Sequence, residues 1–137
     1  MKITQESIFF CKEFVQDAET GLVSAFSLVD DVAVPELPTN IGPVSLVTKF
    51  TIQDSDEKDS VKLTLEVKDP ENKPTKPASR EFDLPIIPMQ KFSKSGMLIR
   101  LTELGATSEG VYTVIVKHNK DVVGRFNFLV KKNKDVK

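Results

Sequence analysis

A short acidic stretch holds the side chains of this chain that are best suited to binding a metal. It contains Asp54, Asp56, Glu57 and Asp59. Carboxylate oxygens are hard ligands that suit Ca²⁺, and β-sandwiches of the C2 type bind calcium with several loop carboxylates. Such sites take ligands from more than one loop, however, and Lys58 lies inside this stretch. A solvated turn is therefore the favoured interpretation, with the four carboxylates as alternative metal ligands.

Asp30, Asp31 and Glu36 form a second group of carboxylates. Paired carboxylates can act as general acid and general base when burial separates their pKa values. The sequence gives no measure of burial, and aspartate is also common where a strand bends, because its side chain bonds to nearby backbone. Acid–base chemistry by Asp or Glu is accordingly kept as an enzymatic alternative.

The single cysteine and the single histidine do not lie in patterns typical of catalysis or metal binding. Such sites combine histidine with a nucleophile or with another strong ligand. His118 precedes the turn residues Asn119 and Lys120, and Cys11 lies among phenylalanines, where a thiol behaves as a small hydrophobe. The chain has no CxxC, GxSxG or glycine-rich phosphate-binding motif. We therefore expect no catalytic residue, no cofactor and no enzyme.

The composition is typical of one folded domain without a marked charge. The chain has 137 residues, of which 39% are hydrophobic and 28% charged, and 19 basic residues nearly balance 20 acidic ones. A net charge of −1 gives no long-range attraction for phosphates, so we expect no nucleic-acid partner. Charges interrupt the first apolar residues too early for a signal peptide or a membrane span. We predict a cytoplasmic domain over residues 1–132, a flexible tail over residues 133–137 and no membrane partner.

Alternation of apolar and polar residues predicts β-strands along most of the chain. Val61, Leu63, Leu65 and Val67 alternate with polar residues, which is typical of a strand with one buried face. Similar patterns separated by turn residues predict strands over residues 7–15, 22–34, 44–52, 81–87, 97–104, 109–117 and 123–130. No stretch carries the 3.6-residue apolar period of a substantial helix. The sequence therefore predicts an all-β fold, an antiparallel β-sandwich of about eight strands.

The start of the penultimate strand predicts an immunoglobulin-like arrangement. Gly110 is followed two positions later by Tyr112, as in the tyrosine corner, where a Tyr hydroxyl bonds back to upstream backbone. Val114 stands where antibody domains have a disulfide cysteine, and the chain has no tryptophan, so an antibody-type domain is excluded. The alternative is that Gly110 ends a turn and that Tyr112 is simply a buried aromatic residue.

Three segments in the first 40 residues resemble a known family. They are Phe9-Phe10-Cys11-Lys12-Glu13-Phe14-Val15, Thr20-Gly21-Leu22-Val23-Ser24-Ala25-Phe26 and Val32-Ala33-Val34-Pro35-Glu36-Leu37-Pro38. A cysteine-containing strand, a strand that starts with glycine and an apolar segment with proline occur in this order. The series is similar to a family of small bacterial proteins classed as a domain of unknown function. The resemblance implies a bacterial, intracellular setting and brings no activity, substrate or catalytic residue.

An apolar segment flanked by prolines has two interpretations. Residues 84–92 include Ile86, Ile87 and Met89 and follow no clear period. Burial between the sheets is favoured, and the alternative is that part of the segment is exposed. An exposed apolar patch on a soluble domain usually marks a partner surface.

Taken together, these patterns predict a non-catalytic binding or assembly module whose partner is another protein or a second copy of the chain. The first alternative is a small-molecule pocket between the sheets, lined by phenylalanines. The second is an enzyme that uses the carboxylate chemistry described above.

Overall fold

The computed structural model describes residues 1–20, 22–55, 60–75, 79–86, 91–133 and 135. The regular structure in this part is all β-strand, which confirms the predicted fold class, and no helix in it could span a membrane. The strands are β1 (Lys2–Gln16), β2 (Val23–Val29), β3 (Asp31–Val34), β4 (Thr39–Asn40), β5 (Val44–Gln53), β6 (Ser60–Lys68), β7 (Arg80–Pro85), β8 (Phe92–Leu101), β9 (Gly105–Ala106), β10 (Gly110–His118) and β11 (Asp121–Lys132).

The strands form two larger sheets and one small ladder. The first sheet has the order β2-β1-β5-β8, and the second has the order β3-β11-β10-β6-β7. The two-residue strands β4 and β9 pair with each other. Neighbouring strands are antiparallel, except that β3 runs parallel to β11. The result is an immunoglobulin-like sandwich, in which two mainly antiparallel sheets face each other across one core.

Alternating side chains from both sheets fill the space between them. β6 buries Val61, Leu63, Leu65 and Val67, as its period of two predicts. The largest fully buried side chains come from both sheets and are Tyr112, Phe10, Phe50, Leu46, Ile52, Leu63, Leu65, Leu84, Leu101, Leu104, Val114 and Val116. Their burial supplies the main favourable contribution to folding, because it removes apolar surface from water.

Aromatic rings connect the two sheets. Phe10 of β1 packs edge-on against Phe126 and Phe128 of β11, with ring centroids 5.3 Å and 5.2 Å apart. Tyr112 of β10 stacks on Phe128 at a centroid distance of 5.4 Å. These rings pack against one another inside the sandwich, where the small-molecule alternative expected a cavity.

The segment predicted as one strand over residues 22–34 is two strands in different sheets. β2 pairs with β1 as far as Val29, whereas β3 pairs with β11 from Asp31 onward. Between them the Asp30 carbonyl accepts a hydrogen bond from the Leu129 N–H at 3.2 Å. A bend at the two aspartates was expected, but alternation alone does not reveal which strand is the neighbour. The described chain therefore has nine strands of four or more residues and the two short ones, against about eight expected.

β1 is longer than predicted and changes its partner along its length. It begins at Lys2 rather than at residue 7. It pairs with β5 as far as Cys11 and with β2 from Phe10 to Gln16. In the described part of the chain, β1 and β2 have only each other as ladder partners beyond Cys11. The β1–β2 hairpin, residues 12–28, therefore extends past the start of β5.

The end of the domain is tied to the second sheet. The Asn133 N–H donates to the Val34 carbonyl at 2.7 Å. β11 ends at Lys132, so this hydrogen bond lies one residue beyond the last strand.

Candidate functional site

The β1–β2 hairpin exposes a large share of the apolar side chains that face solvent. Among the described residues, eight large hydrophobic side chains are exposed, and four of them belong to this hairpin. Leu22 is 72% exposed, Leu28 63%, Val15 58% and Val23 41%. We call these four residues the hairpin patch. The register places Val15 and Leu28 on one face of the hairpin and Val23 on the other, so its exposed apolar side chains occur on both faces.

The turn of the hairpin is closed by its own polar side chains. The Asp17 carboxylate accepts hydrogen bonds from the N–H groups of Thr20 and Glu19, at 2.9 Å and 2.8 Å. These two bonds, that from Thr20 first, hold the pKa of the Asp17 carboxyl below its usual value. The Asp17 N–H also donates to the Leu22 carbonyl at 2.8 Å. The turn therefore has a defined shape and keeps a negative charge at neutral pH.

Negative charge is concentrated around the hairpin patch. The segment 11–36 contains six of the twenty acidic residues of the chain and only one of its nineteen basic residues, Lys12. Asp17 and Glu19 precede β2, and Asp30 and Asp31 follow it; all four side chains are exposed. Segment 11–36 is thus acidic within a nearly neutral chain, and the remainder carries an excess of basic residues.

β2 is an outer strand of the first sheet and differs from the other outer strands. Its sequence, VSAFSLV, contains no charged residue and no proline. The other outer strands carry charges or proline: β3 has Asp31, β7 has Arg80, Glu81, Asp83 and Pro85, and β8 has Lys94 and Arg100. Charges and prolines at sheet edges are the usual protection against pairing with another chain. β2 lacks this protection.

A cavity of about 600 Å³ lies between the hairpin and the first sheet. Leu22 and Val23 line it on the hairpin side, and Val47 and Leu98 line it from β5 and β8. Ser7, Gln16, Thr48 and Lys49 also line this cavity, so it is a recess of mixed polarity that two residues of the hairpin patch border, whereas Leu28 lines a different cavity.

Tyr112 makes hydrogen bonds to backbone upstream of its own strand. Its hydroxyl donates to the Ser108 carbonyl at 2.8 Å and accepts from the N–H groups of Thr107 and Ser108 at 3.2 Å and 3.3 Å. Gly110 has a φ of 136°, and a Cβ atom at this position would lie 2.7 Å from Cγ of Pro70. The positive φ and this close approach favour glycine. These residues shape the loop before β10 and lie away from the hairpin patch in the sequence.

Tyr112→Phe is expected to lower the free energy of unfolding by about 1–2 kcal/mol, because one carbonyl and two N–H groups lose their shared partner. Urea unfolding followed by circular dichroism measures the change. Val111→Ala is a suitable control at the adjacent, exposed position. An unchanged urea midpoint for Tyr112→Phe would contradict a structural role for the hydroxyl.

A model of a protein family matches residues 6–131 of the chain. The chain belongs to the family of unknown function DUF6941. The match confirms the predicted membership of a family of unknown function and extends far beyond the first 40 residues. No curated protein matches this DUF6941 chain. A crystal structure of an immunoglobulin-like protein from Pseudomonas aeruginosa is similar to it, with 14% sequence identity, a TM-score of 0.46 and coverage of 96% of this chain and 98% of that chain.

The acidic stretch of this DUF6941 member is only partly described. Asp54 is exposed, has a φ of 52° and donates its backbone N–H to the Lys91 carbonyl at 3.0 Å. The other candidate calcium ligands, Asp56, Glu57 and Asp59, lie outside the described residues. In the part that the structure describes, no three His, Cys, Asp or Glu residues are grouped so as to hold a metal ion.

Of the alternative partner surface, Ile86, Ile87 and Met89, the structure describes only Ile86, and it places this residue in the core. Ile86 is only 7% exposed and belongs to the hydrophobic core, because β7 carries it between the sheets after the buried Leu84. It offers no surface to a partner. Ile87 and Met89 lie outside the described residues. Among the described residues of this DUF6941 chain, half of the exposed large apolar side chains belong to the hairpin patch.

The remaining candidates for chemistry are separated in the structure. Cys11 is fully buried beside Leu28 and Ser45 in the ladder of the first sheet. His118 ends β10, is partly buried and lines a cavity of about 350 Å³ with Asp83. Asp30, Asp31 and Glu36 are exposed, so they lack the burial on which the hypothesis of paired-carboxylate catalysis depends.

The hairpin patch of this DUF6941 member was not predicted from the sequence. One signal was present: apolar residues occupy both faces of β2, and the strand has no charge. That pattern also fits a strand buried on both sides, so it did not separate burial from exposure.

Proposed function

We propose that this chain is a non-catalytic module that binds another protein through the hairpin patch. The observation that carries the proposal is the exposure of four large apolar side chains on one hairpin, at its turn and on both faces of its ladder: Val15, Leu22, Val23 and Leu28. Exposed apolar clusters with a polar surround are typical of protein-binding surfaces. The acidic residues around the patch provide that surround.

The patch has enough apolar surface to contribute to binding. Complete burial of a leucine side chain contributes about 1.5–3 kcal/mol. Leu22 and Leu28 have kept most of their surface in water, at 72% and 63% exposure, so most of this contribution is available to a partner. The polar turn fixes Leu22 next to Asp17, and this order lowers the entropy lost on binding.

The other two hypotheses have less support. The described part of the chain lines four cavities, of about 760, 590, 600 and 350 Å³. None of the described residues that line them is a phenylalanine. The small-molecule hypothesis required a pocket between the sheets that phenylalanines line. The enzyme hypothesis required buried paired carboxylates, and Asp30, Asp31 and Glu36 are exposed.

Affinity capture with matched variants tests the proposal. The double variant Leu22→Ser/Leu28→Ser removes two exposed apolar side chains from the patch, and Phe92→Ser/Val111→Ser removes two from other strands. We expect wild type and the control variant to retain the same protein from a lysate of the source cells and the patch variant to lose it. Loss with the control variant, or retention by all three, would contradict binding through the patch. Far-ultraviolet circular dichroism verifies that both variants are folded.

A further inference from the structure

We propose that the partner is an extended segment that joins the first sheet as a strand beside β2, with an uncharged, β-forming centre and Lys or Arg at both ends. This inference rests on the proposed function and specifies the chemistry of the partner. It follows from two independent properties of β2: its unprotected edge and the charges at its two ends.

The edge of β2 is suited to backbone pairing. In the described part of the chain β2 pairs only with β1, and a sheet edge presents unpaired N–H and C=O groups that a further strand can bond. β2 has seven residues, which is long enough for several such bonds. Because β2 carries no charge and no proline, an incoming uncharged strand meets no repulsion along the centre.

The charges at the ends of β2 specify the ends of the partner. Asp17 and Glu19 lie before the strand, and Asp30 and Asp31 lie after it. A strand of this length spans about 23 Å, at about 3.3 Å per residue. This span exceeds the screening length of about 8 Å at physiological ionic strength, so one cation cannot serve both ends. The complementary partner therefore carries basic residues on both sides of its uncharged centre.

A second copy of this chain does not have this chemistry at β2. Antiparallel pairing of two β2 strands places the acidic turn of each copy near Asp30 and Asp31 of the other, and like charges in this position repel. Parallel pairing places the two acidic turns side by side. The charge pattern therefore favours a different, basic segment over a homodimer through this edge.

The probe is a synthetic labelled peptide of alternating Val and Thr, with as many central residues as β2 and with paired Lys at each end. We expect saturable binding to the full chain by fluorescence anisotropy, weakened by added salt. A peptide with paired Glu at the ends is expected not to bind. A third peptide, with basic ends and a central Pro, is expected to bind at least about tenfold more weakly, because proline cannot donate to the ladder.

Matched variants locate the binding site. Leu28→Lys places a positive charge on β2, and Val111→Lys makes the same change at an exposed position of β10. We expect Leu28→Lys to weaken peptide binding by about tenfold or more, a loss of about 1.4 kcal/mol, and Val111→Lys to change it less than about twofold. Hydrogen exchange of the wild-type complex is expected to show slower exchange in β2.

Several results would overturn strand addition at β2. The first is that the peptide with basic ends does not bind. The second is that the peptide with a central Pro binds as tightly as the peptide without it. The third is that Leu28→Lys and Val111→Lys weaken peptide binding equally. Light scattering that shows a dimer, lost in Leu28→Lys, would instead identify a second copy as the occupant.

If the patch variant loses its captured protein and the peptide does not bind, the proposed function stands and only strand addition is wrong. If capture is independent of the patch, the proposed function itself is wrong.

Discussion

Phe10→Ala is expected to lower the free energy of unfolding by about 3–5 kcal/mol, which is typical for truncation of a buried phenylalanine. Phe10 is 1% exposed, and its ring contacts Phe126 and Phe128 from the opposite sheet. The truncation therefore removes contacts between the sheets as well as apolar burial. Urea unfolding at equilibrium measures the change.

Phe92→Ala is the matched control, because the same atoms are removed from a side chain that is 55% exposed. We expect its effect to stay within about 0.5 kcal/mol, as for most surface substitutions. Similar losses for the two variants would show that Phe10 does not have the central packing role assigned to it. If Phe10→Ala is too unstable to purify, Phe10→Leu is expected to fold with a loss of about 1 kcal/mol.

Phe10 also connects the core to the hairpin. It is one of the two β1 residues, with Cys11, that pair with both β2 and β5. Beyond this point β1 and β2 pair with each other, and the Lys12 carbonyl also accepts a hydrogen bond from the Arg100 guanidinium of β8 at 3.4 Å. Leu22 and Val23 nevertheless line a cavity with Val47 and Leu98, so the turn end of the hairpin lies near the first sheet.

The sequence was sufficient where one physical requirement dominates. β6 must bury one face and expose the other, so Val61, Leu63, Leu65 and Val67 alternate strictly, and the predicted strand is found. Tyr112 follows a glycine whose positive φ few other residues adopt, so the loop before β10 could also be anticipated. In both cases the information is local.

The remainder depends on which strands are neighbours, and periodicity does not contain that information. The change of sheet at Asp30 arises because β3 pairs with β11, which lies about a hundred residues away in the sequence. The position of β2 as an outer strand, which leaves Leu28 exposed, is likewise set by pairing between distant segments. Ile86 was ambiguous for the same reason, since an apolar residue beside proline fits both a core and a surface. The candidate site was therefore less predictable than the fold.

Gly42→Ala is expected to lower the free energy of unfolding by about 1–3 kcal/mol, the usual cost of forcing an extra methyl group into a packed site. A Cβ atom on Gly42 would lie 2.7 Å from the Thr102 carbonyl oxygen and 3.0 Å from that of Leu101. The Asn40 side chain holds this approach, because its oxygen accepts from the Leu104 N–H at 2.7 Å and from the Gly42 N–H at 3.1 Å. The backbone at Gly42 therefore cannot move away from Leu101 and Thr102 without loss of these hydrogen bonds.

The double variant Gly42→Ala/Thr102→Ala separates a backbone contact from a side-chain contact. Because the close atoms belong to the Thr102 backbone, removal of its exposed side chain is expected to restore no stability. Thermal and urea unfolding of Gly42→Ala, Thr102→Ala and the double variant measure this. Recovery of wild-type stability in the double variant would show that the side chain, and not the backbone, limits the space at Gly42. The expected result is a double variant no more stable than Gly42→Ala, because the chain that leads into β5 is held against the end of β8 by main-chain atoms.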